Sequence, residues 1–269
     1  MDVRARKRFG QHFLESSWAA RVVDAIGPGA EDTFLEIGPG RGAITRPLAE
    51  RAGRVVTVEL DRDLAAGLER EALRGVTIVQ GDFLDVEIGS LSLPPLTRVA
   101  GNLPYNVSSP ILFRLLDLAR TPERFRDATL MLQKEVADRL VASPGGKDYG
   151  PLTVFTALQA RVSRLLTLPP GAFRPRPQVT SAVVRLEFPL QALHPDAPAT
   201  LSPLVRGIFT MRRKMLSNAL APVADSCGFD ARRLLADSGI DGRRRPETLT
   251  LEELLRLARL IAGSPPPVR

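Results

Sequence analysis

The sequence predicts a doubly wound, mostly parallel α/β sheet with an antiparallel edge pair, followed by a small all-helical domain. Three observations carry that expectation. Between residues 33 and 141 short apolar strands alternate with helical stretches, the pattern of βαβ units. The residues with chemical character fall at the carboxyl ends of those strands, where such sheets bind ligands. Beyond residue 190 the strand pattern stops and a Pro/Ala-rich link (Pro195, Pro198) leads into amphipathic helices. The expected domains are therefore 1–190, opening with a basic arm over 1–15, and 191–269.

Composition limits the classes of function. At 269 residues, 44% hydrophobic and 25% charged, the chain buries a sizeable core and has no apolar run long enough to span a membrane. Cys227 is the one cysteine, and the two histidines are His12 and His194, so neither an internal disulfide nor a zinc-type cluster is expected. No metal, no membrane and a cytoplasmic location follow as expectations. The net charge of +7 is unevenly placed: residues 1–8 carry +3, residues 191–269 carry +4, and the long middle sums to zero. A neutral catalytic body with basic ends is suited to a polyanion. In the second domain Arg212, Arg213, Lys214, Arg243, Arg244 and Arg245 are the candidate cations for binding such a polyanion, which the family resemblance given below implies to be RNA.

In order along the chain, Phe9 to Leu14 closes the basic arm with two phenylalanines around a polar pair, which suggests docking onto the body. Ser16 or Ser17 is expected to cap a helix ending at Gly27-Pro28-Gly29. Strands are expected at Thr33–Ile37, Val55–Leu60 and Val76–Gln80, with a helix over Ala43–Ala52 and another opened by Asp61-Arg62-Asp63. A fourth strand runs into Asn102-Leu103-Pro104-Tyr105, and Ser108-Ser109-Pro110 starts a helix with proline where a missing N–H costs nothing. Ala128–Leu132 is a fifth strand and Lys134–Val141 a helix. After a flexible loop at 143–147 come a helix (Pro151–Arg161) and two strands (Val162–Leu168, Ser181–Phe188) that form the antiparallel pair. Four helices are expected near Thr200–Thr210, Lys214–Ala224, Asp230–Asp237 and Thr250–Ala262.

Three successive strand ends suggest one ligand. The first ends in Glu36-Ile37-Gly38-Pro39-Gly40-Arg41-Gly42. A dinucleotide loop spaces its glycines G-x-G-x-x-G; here an acid enters the loop, which would repel a pyrophosphate and attract an ammonium. Gly38 and Gly40 let the backbone approach a small ligand. Glu59, ending the second strand, is placed to accept from both hydroxyls of a ribose. Asp82, ending the third, is placed to accept from an adenine 6-amino group. Ammonium, ribose and adenine together describe S-adenosyl-L-methionine. At the fourth strand end, Pro104 pushes Leu103 toward extended geometry. The Asn102 side-chain oxygen and the Leu103 carbonyl then form adjacent acceptors beside Tyr105, suited to an exocyclic amine whose ring stacks on the tyrosine.

With these residues in hand, the chain resembles the KsgA-type (RsmA) ribosomal RNA adenine dimethyltransferases nearly end to end. The match runs through Phe9 to Leu14, Leu35 to Gly40, Val58 to Asp61, Gly81-Asp82, Gly101 to Asn106 and Met131 to Val136. It continues through Phe173 to Pro177, Ser181 to Leu186, Arg212 to Lys214 and Arg245 to Glu247. The resemblance implies the Rossmann-like class I methyltransferase fold. It also implies S-adenosylmethionine-dependent transfer of two methyls to N6 of each of two adjacent adenosines near the 3′ end of 16S rRNA, in the small subunit or its precursor. A role in small-subunit biogenesis, and action as a monomer, follow from it too. By position, His12, Leu14, Gly38, Glu59, Asp82 and Asn102 should contact the cofactor, and Phe173 should cover the face of the target base opposite Tyr105. Many members carry Asn where this chain has His12; a neutral imidazole still donates or accepts one hydrogen bond, with pH dependence expected. The alternatives are a sister enzyme acting on a large-subunit adenine, an RNA-binding assembly factor without catalysis, and a dehydrogenase, which the glycine spacing disfavours.

Overall fold

The computed structural model describes residues 12–191 and 193–263. The cationic arm residues Arg4, Arg6, Lys7 and Arg8, with Phe9 to Gln11, lie outside them. The elements in order are β1 (Phe13–Leu14), α1 (Ser16–Ile26), β2 (Thr33–Ile37), α2 (Thr45–Arg51), β3 (Arg54–Glu59), α3 (Arg62–Glu69), β4 (Val76–Gln80), β5 (Thr97–Asn102), α4 (Ser108–Leu118) and β6 (Phe125–Gln133). There follow α5 (Lys134–Leu140), α6 (Pro151–Gln159), β7 (Arg161–Leu168), β8 (Phe173–Arg174), β9 (Ser181–Glu187), α7 (Leu201–Thr210), α8 (Leu216–Ser226), α9 (Ala231–Ser238) and α10 (Leu251–Ile261).

Seven strands form one sheet in the order β4-β3-β2-β5-β6-β9-β7. The five from β4 to β6 are parallel. β9 runs antiparallel to both β6 and β7, so the expected late pair forms, with β9 inserted between β6 and the edge strand β7. β2 sits near the centre, and Phe34, Leu35, Glu36 and Ile37 are all buried. That is what a parallel strand covered on both faces requires, and it makes the single acid among them conspicuous. Reversal of strand order between β2 and β5 opens a crevice at their carboxyl ends.

Several expectations need correction. The cap of α1 is Glu15 in extended geometry, and neither Ser16 nor Ser17 caps it. The fifth strand is longer than expected, because Phe125 to Gln133 find partners on both sides in β5 and β9. A second sheet of two short strands was not foreseen: Phe13 pairs with Arg174 and Leu14 with Phe173. Docking of the arm's end, which was foreseen, takes this form for residues 12–15.

The described chain divides into two compact units. The first comprises residues up to Ala137 together with Gln159–Ala192, and the second comprises Asp138–Leu158 with Leu193 onward. The division after Ala192 stands beside the expected one after 190, and 138–158 groups with the helical unit. The reason is burial: Tyr149, Val154 and Leu158 join the core built from Leu204, Leu220 and Leu254. The Tyr149 hydroxyl donates to the Leu249 carbonyl (2.8 Å), and the Gly145 N–H to that of Glu247 (2.7 Å). Within the helical unit, α10 begins with a reciprocal capping box of Thr250 and Glu253. No described helix is long and apolar enough to cross a membrane.

Candidate active site

The carboxyl ends of β2, β3, β4 and β5 open on a pocket of about 320 Å³. Of the expected ligand-binding residues, His12, Leu14, Glu36, Gly38, Gly40, Glu59, Asp82 and Asn102 all line it, as do Leu103, Pro104 and Tyr105.

The two glutamates are held very differently. Glu36 is 1% exposed, and its Oε2 has no hydrogen-bond partner among the described residues. Burial pushes its carboxyl up to about 8; the neighbouring Thr45 hydroxyl offsets part of this, and the Glu59 charge adds to it. Glu59 accepts from the Gly40 N–H at Oε2 (2.9 Å) and the Asp61 N–H at Oε1 (2.8 Å). Burial raises its pKa as well, against the pull of those two donors. The Gly40 contact ties the glycine loop to β3. Neither glutamate has an ion pair among the described residues. Asp82 accepts the Leu84 N–H at Oδ1 (2.8 Å), which leaves Oδ2.

Two glycines show why side chains are missing here. Gly40 sits at φ +58°, and a Cβ would meet the Phe13 ring at 3.3 Å. Gly38 sits at φ +67°, and its Cβ would stand in open space at the pocket wall.

At the fourth strand end, the Asn102 Nδ2 donates to the His12 main-chain carbonyl (2.8 Å). Because that carbonyl only accepts, the contact sets the amide's orientation and leaves Oδ1 as the acceptor. The Leu103 N–H continues the sheet ladder to the Met131 carbonyl (3.2 Å), so Leu103 cannot slide. The Tyr105 hydroxyl lies 2.5 Å from Ser181 Oγ on β9. Burial raises the Tyr105 pKa, partly offset by Ser181.

His12 makes one contact that the sequence did not suggest. Its ring stacks on Tyr105, with centroids 5.1 Å apart and planes at 27°, and its Nδ1 donates to the Pro175 carbonyl (2.7 Å). One face of Tyr105 is therefore taken, and a base must use the other or displace the imidazole. Phe13 packs on the glycine loop, with the Arg41 guanidinium 4.4 Å from its ring centre. Phe173 does not reach the pocket. It is fully buried in the core beside Leu14, Phe34 and Leu168, because β8 pairs with β1. The expectation that it covers the base is not met in this structure. Among the apolar wall residues that sequence reasoning missed are Leu60 (47% exposed) and Phe83 (buried). The available signal was position: each directly follows an acid at a strand end.

The six candidate cations of the helical unit also separate. Arg212 donates to Glu247 (2.5 Å) and to the carbonyls of Gly146 (3.2 Å) and Lys147 (2.6 Å). Arg244 pairs with Glu253 and donates to the Thr248 carbonyl (2.7 Å). These two fasten loops. Arg243 pairs with Asp241 (3.0 Å). Arg213, Lys214 and Arg245 are exposed, with no ion pair among the described residues. Their loops meet, since the Leu216 N–H donates to the Arg244 carbonyl (2.6 Å) and the Ser217 N–H to that of Gly242 (3.0 Å).

Comparison with known proteins places this geometry in context. The family described as "Ribosomal RNA adenine dimethylase" matches residues 3–262. The chain is 46% identical to ribosomal RNA small subunit methyltransferase A of Aromatoleum aromaticum, covering 98% of this chain and 96% of that one. It is 43% identical to the protein of the same name from Cupriavidus necator, covering 97% and 94%. Among solved structures, a dimethyladenosine transferase from Plasmodium falciparum superposes with a TM-score of 0.73 at 23% identity, over 91% of this chain and 96% of that one. The 23S rRNA methyltransferase ErmE superposes with 0.64 at 26% identity, over 93% and 99%.

Proposed function

The chain belongs to the ribosomal RNA adenine dimethylase family, and on that premise we propose how its residues carry the reaction. The protein is an S-adenosylmethionine-dependent enzyme that dimethylates N6 of adenosines in 16S rRNA, the family's site being two adjacent adenosines near the 3′ end. The observation that carries the reading is the orientation of Asn102. With Nδ2 committed to the His12 carbonyl, Oδ1 and the Leu103 carbonyl stand as neighbouring acceptors at the pocket.

The residues present fit the cofactor. Glu36 Oε2, buried and unpartnered, suits an ammonium; Glu59, with lone pairs left on both oxygens, suits ribose hydroxyls. Asp82 Oδ2 suits an adenine 6-amino group, and Leu60 and Phe83 suit the flat faces of that ring. Gly38 leaves a cradle that any Cβ would fill. When bound, S-adenosylmethionine supplies the electrophilic methyl group.

The chain's own part is to hold and direct a weak nucleophile. An adenine N6 lone pair is delocalised into its ring. Two acceptors taking both N6 hydrogens hold the amine and favour a pyramidal, more reactive nitrogen, so orientation and electrostatics supply the acceleration. Tyr105, anchored by Ser181, stacks on the extruded base. No dedicated base is needed, because the methylated ammonium is strongly acidic. For the second methyl, N6 has one hydrogen left and one acceptor is given up. Arg213, Lys214 and Arg245, with Arg243, contact the RNA backbone, and Arg212 and Arg244 shape the loops that present them. The partner is the small subunit or its precursor, the location the cytoplasm, the enzyme a monomer that needs no metal.

Undermethylated small subunits incubated with labelled methyl donor should acquire label, mapped by reverse transcription to adjacent adenosines near the 3′ end. Unlabelled small subunits, with label on large-subunit RNA supplied in a parallel incubation, would assign the chain to the sister activity instead.

A further inference from the structure

We propose that Arg114 is a positioning residue for adenine recognition, holding the Asp82 turn in shape from the helix that follows the acceptor turn. The proposal rests on the reading of Asp82 as the adenine contact. Arg114 lies on α4, whose Ser108 hydroxyl donates to the Tyr105 carbonyl (3.3 Å). From there its guanidinium reaches a different strand end: Nη1 donates to the Leu84 carbonyl and Nη2 to the Val86 carbonyl (2.6 Å). Both acceptors belong to the turn that Asp82 heads. In that turn Asp82 Oδ1 accepts the Leu84 N–H, and the Asp82 carbonyl accepts the N–H groups of Asp85 (3.0 Å) and Val86 (2.8 Å).

Arg114 is half-buried and has no ion pair among the described residues, so its charge is spent on main-chain oxygens of this one turn. Its carbon is also 5.9 Å from the ring centre of Phe83, a pocket wall residue. Two carbonyls two residues apart need a fork, which arginine has and lysine lacks. One helix thus connects the turn that grasps the target amine to the turn that reads the cofactor's base.

Calorimetry on the full chain with S-adenosylhomocysteine and S-inosylhomocysteine tests this, since the second replaces the 6-amino donor with an oxygen that a carboxylate repels. The wild type should prefer the adenosyl ligand by at least about tenfold, and Asp82→Ala should erase that preference. Arg114→Ala should weaken the adenosyl ligand by roughly tenfold while changing the inosyl ligand little, and Arg114→Lys should fall between. An unchanged preference in Asp82→Ala would overturn the Asp82 reading. With Asp82→Ala behaving as expected, an unchanged preference in both Arg114 variants, or equal loss for both ligands, would overturn the positioning role alone.

Discussion

The two ends of the central sheet bury the same kind of charge and treat it in opposite ways. At the amino ends of β5 and β6, Arg98 is 3% exposed and fully engaged. It donates to Asp127 (3.0 Å), to Asp32 (2.8 Å) and to the carbonyls of Ile26 (2.7 Å) and Gly27 (2.8 Å) at the end of α1. Arg185 adds bonds to Ala25 (2.7 Å) and Ile26 (2.9 Å), and Arg126 reaches Asp32 (3.2 Å). Burial alone would raise the Asp32 carboxyl; the Gly29 N–H and the Arg98 and Arg126 charges outweigh it and hold the group below its usual range. At the carboxyl ends, Glu36 and Glu59 are buried with no cationic partner among the described residues, and both are raised. The paired end serves the fold. On the proposed reading, the other end is a site whose cation comes with the ligand.

The largest effect should appear where an unpaired acceptor meets substrate. Asn102→Ala should lower kcat by about 10²- to 10³-fold with little change in calorimetric affinity for the cofactor. An unchanged turnover number would remove Asn102 from the chemistry and break the contrast at its functional end.

At the paired end, Arg98→Ala leaves Asp127 and Asp32 with one remaining cationic partner among the described residues, Arg126. Stability should fall by about 3–5 kcal/mol in urea unfolding, while turnover per folded molecule is kept. Full stability would mean that the network contributes nothing.

Glu36→Gln sharpens the comparison through pH. A carboxyl raised from 4.5 to about 8 binds more protons folded than unfolded between those values. Stability of the ligand-free protein therefore declines as pH rises through that interval and levels off above it. The glutamine variant should lose this slope, gain stability on the alkaline side and bind the cofactor about tenfold more weakly. Unfolding midpoints across the pH range, with calorimetry, check both; an unchanged pH slope would show that Glu36 does not titrate there.

The smallest effect concerns the helical unit, where the same criterion separates Arg213 and Lys214 from Arg212. Replacing Arg213 and Lys214 with alanine should reduce the salt slope of RNA binding by roughly one to two. Arg212→Ala should weaken binding with the slope retained. Equal slopes in both variants would erase the distinction.

The sequence alone determined the order of strands and helices, the strand ends that carry Glu36, Glu59, Asp82 and Asn102, and the family. These rest on rules that act over a few residues: alternation of apolar stretches, a proline after Leu103, glycines where φ is positive. Tertiary structure decided which charges are spent and which remain. Arg98 finds Asp32 66 residues away, Asn102 is oriented by a carbonyl 90 residues away, and Arg212 meets Glu247 35 residues on. It also took Phe173 into the core and assigned 138–158 to the helical unit. Local sequence sets what a residue offers; long-range packing sets whether another part of the chain has already accepted it.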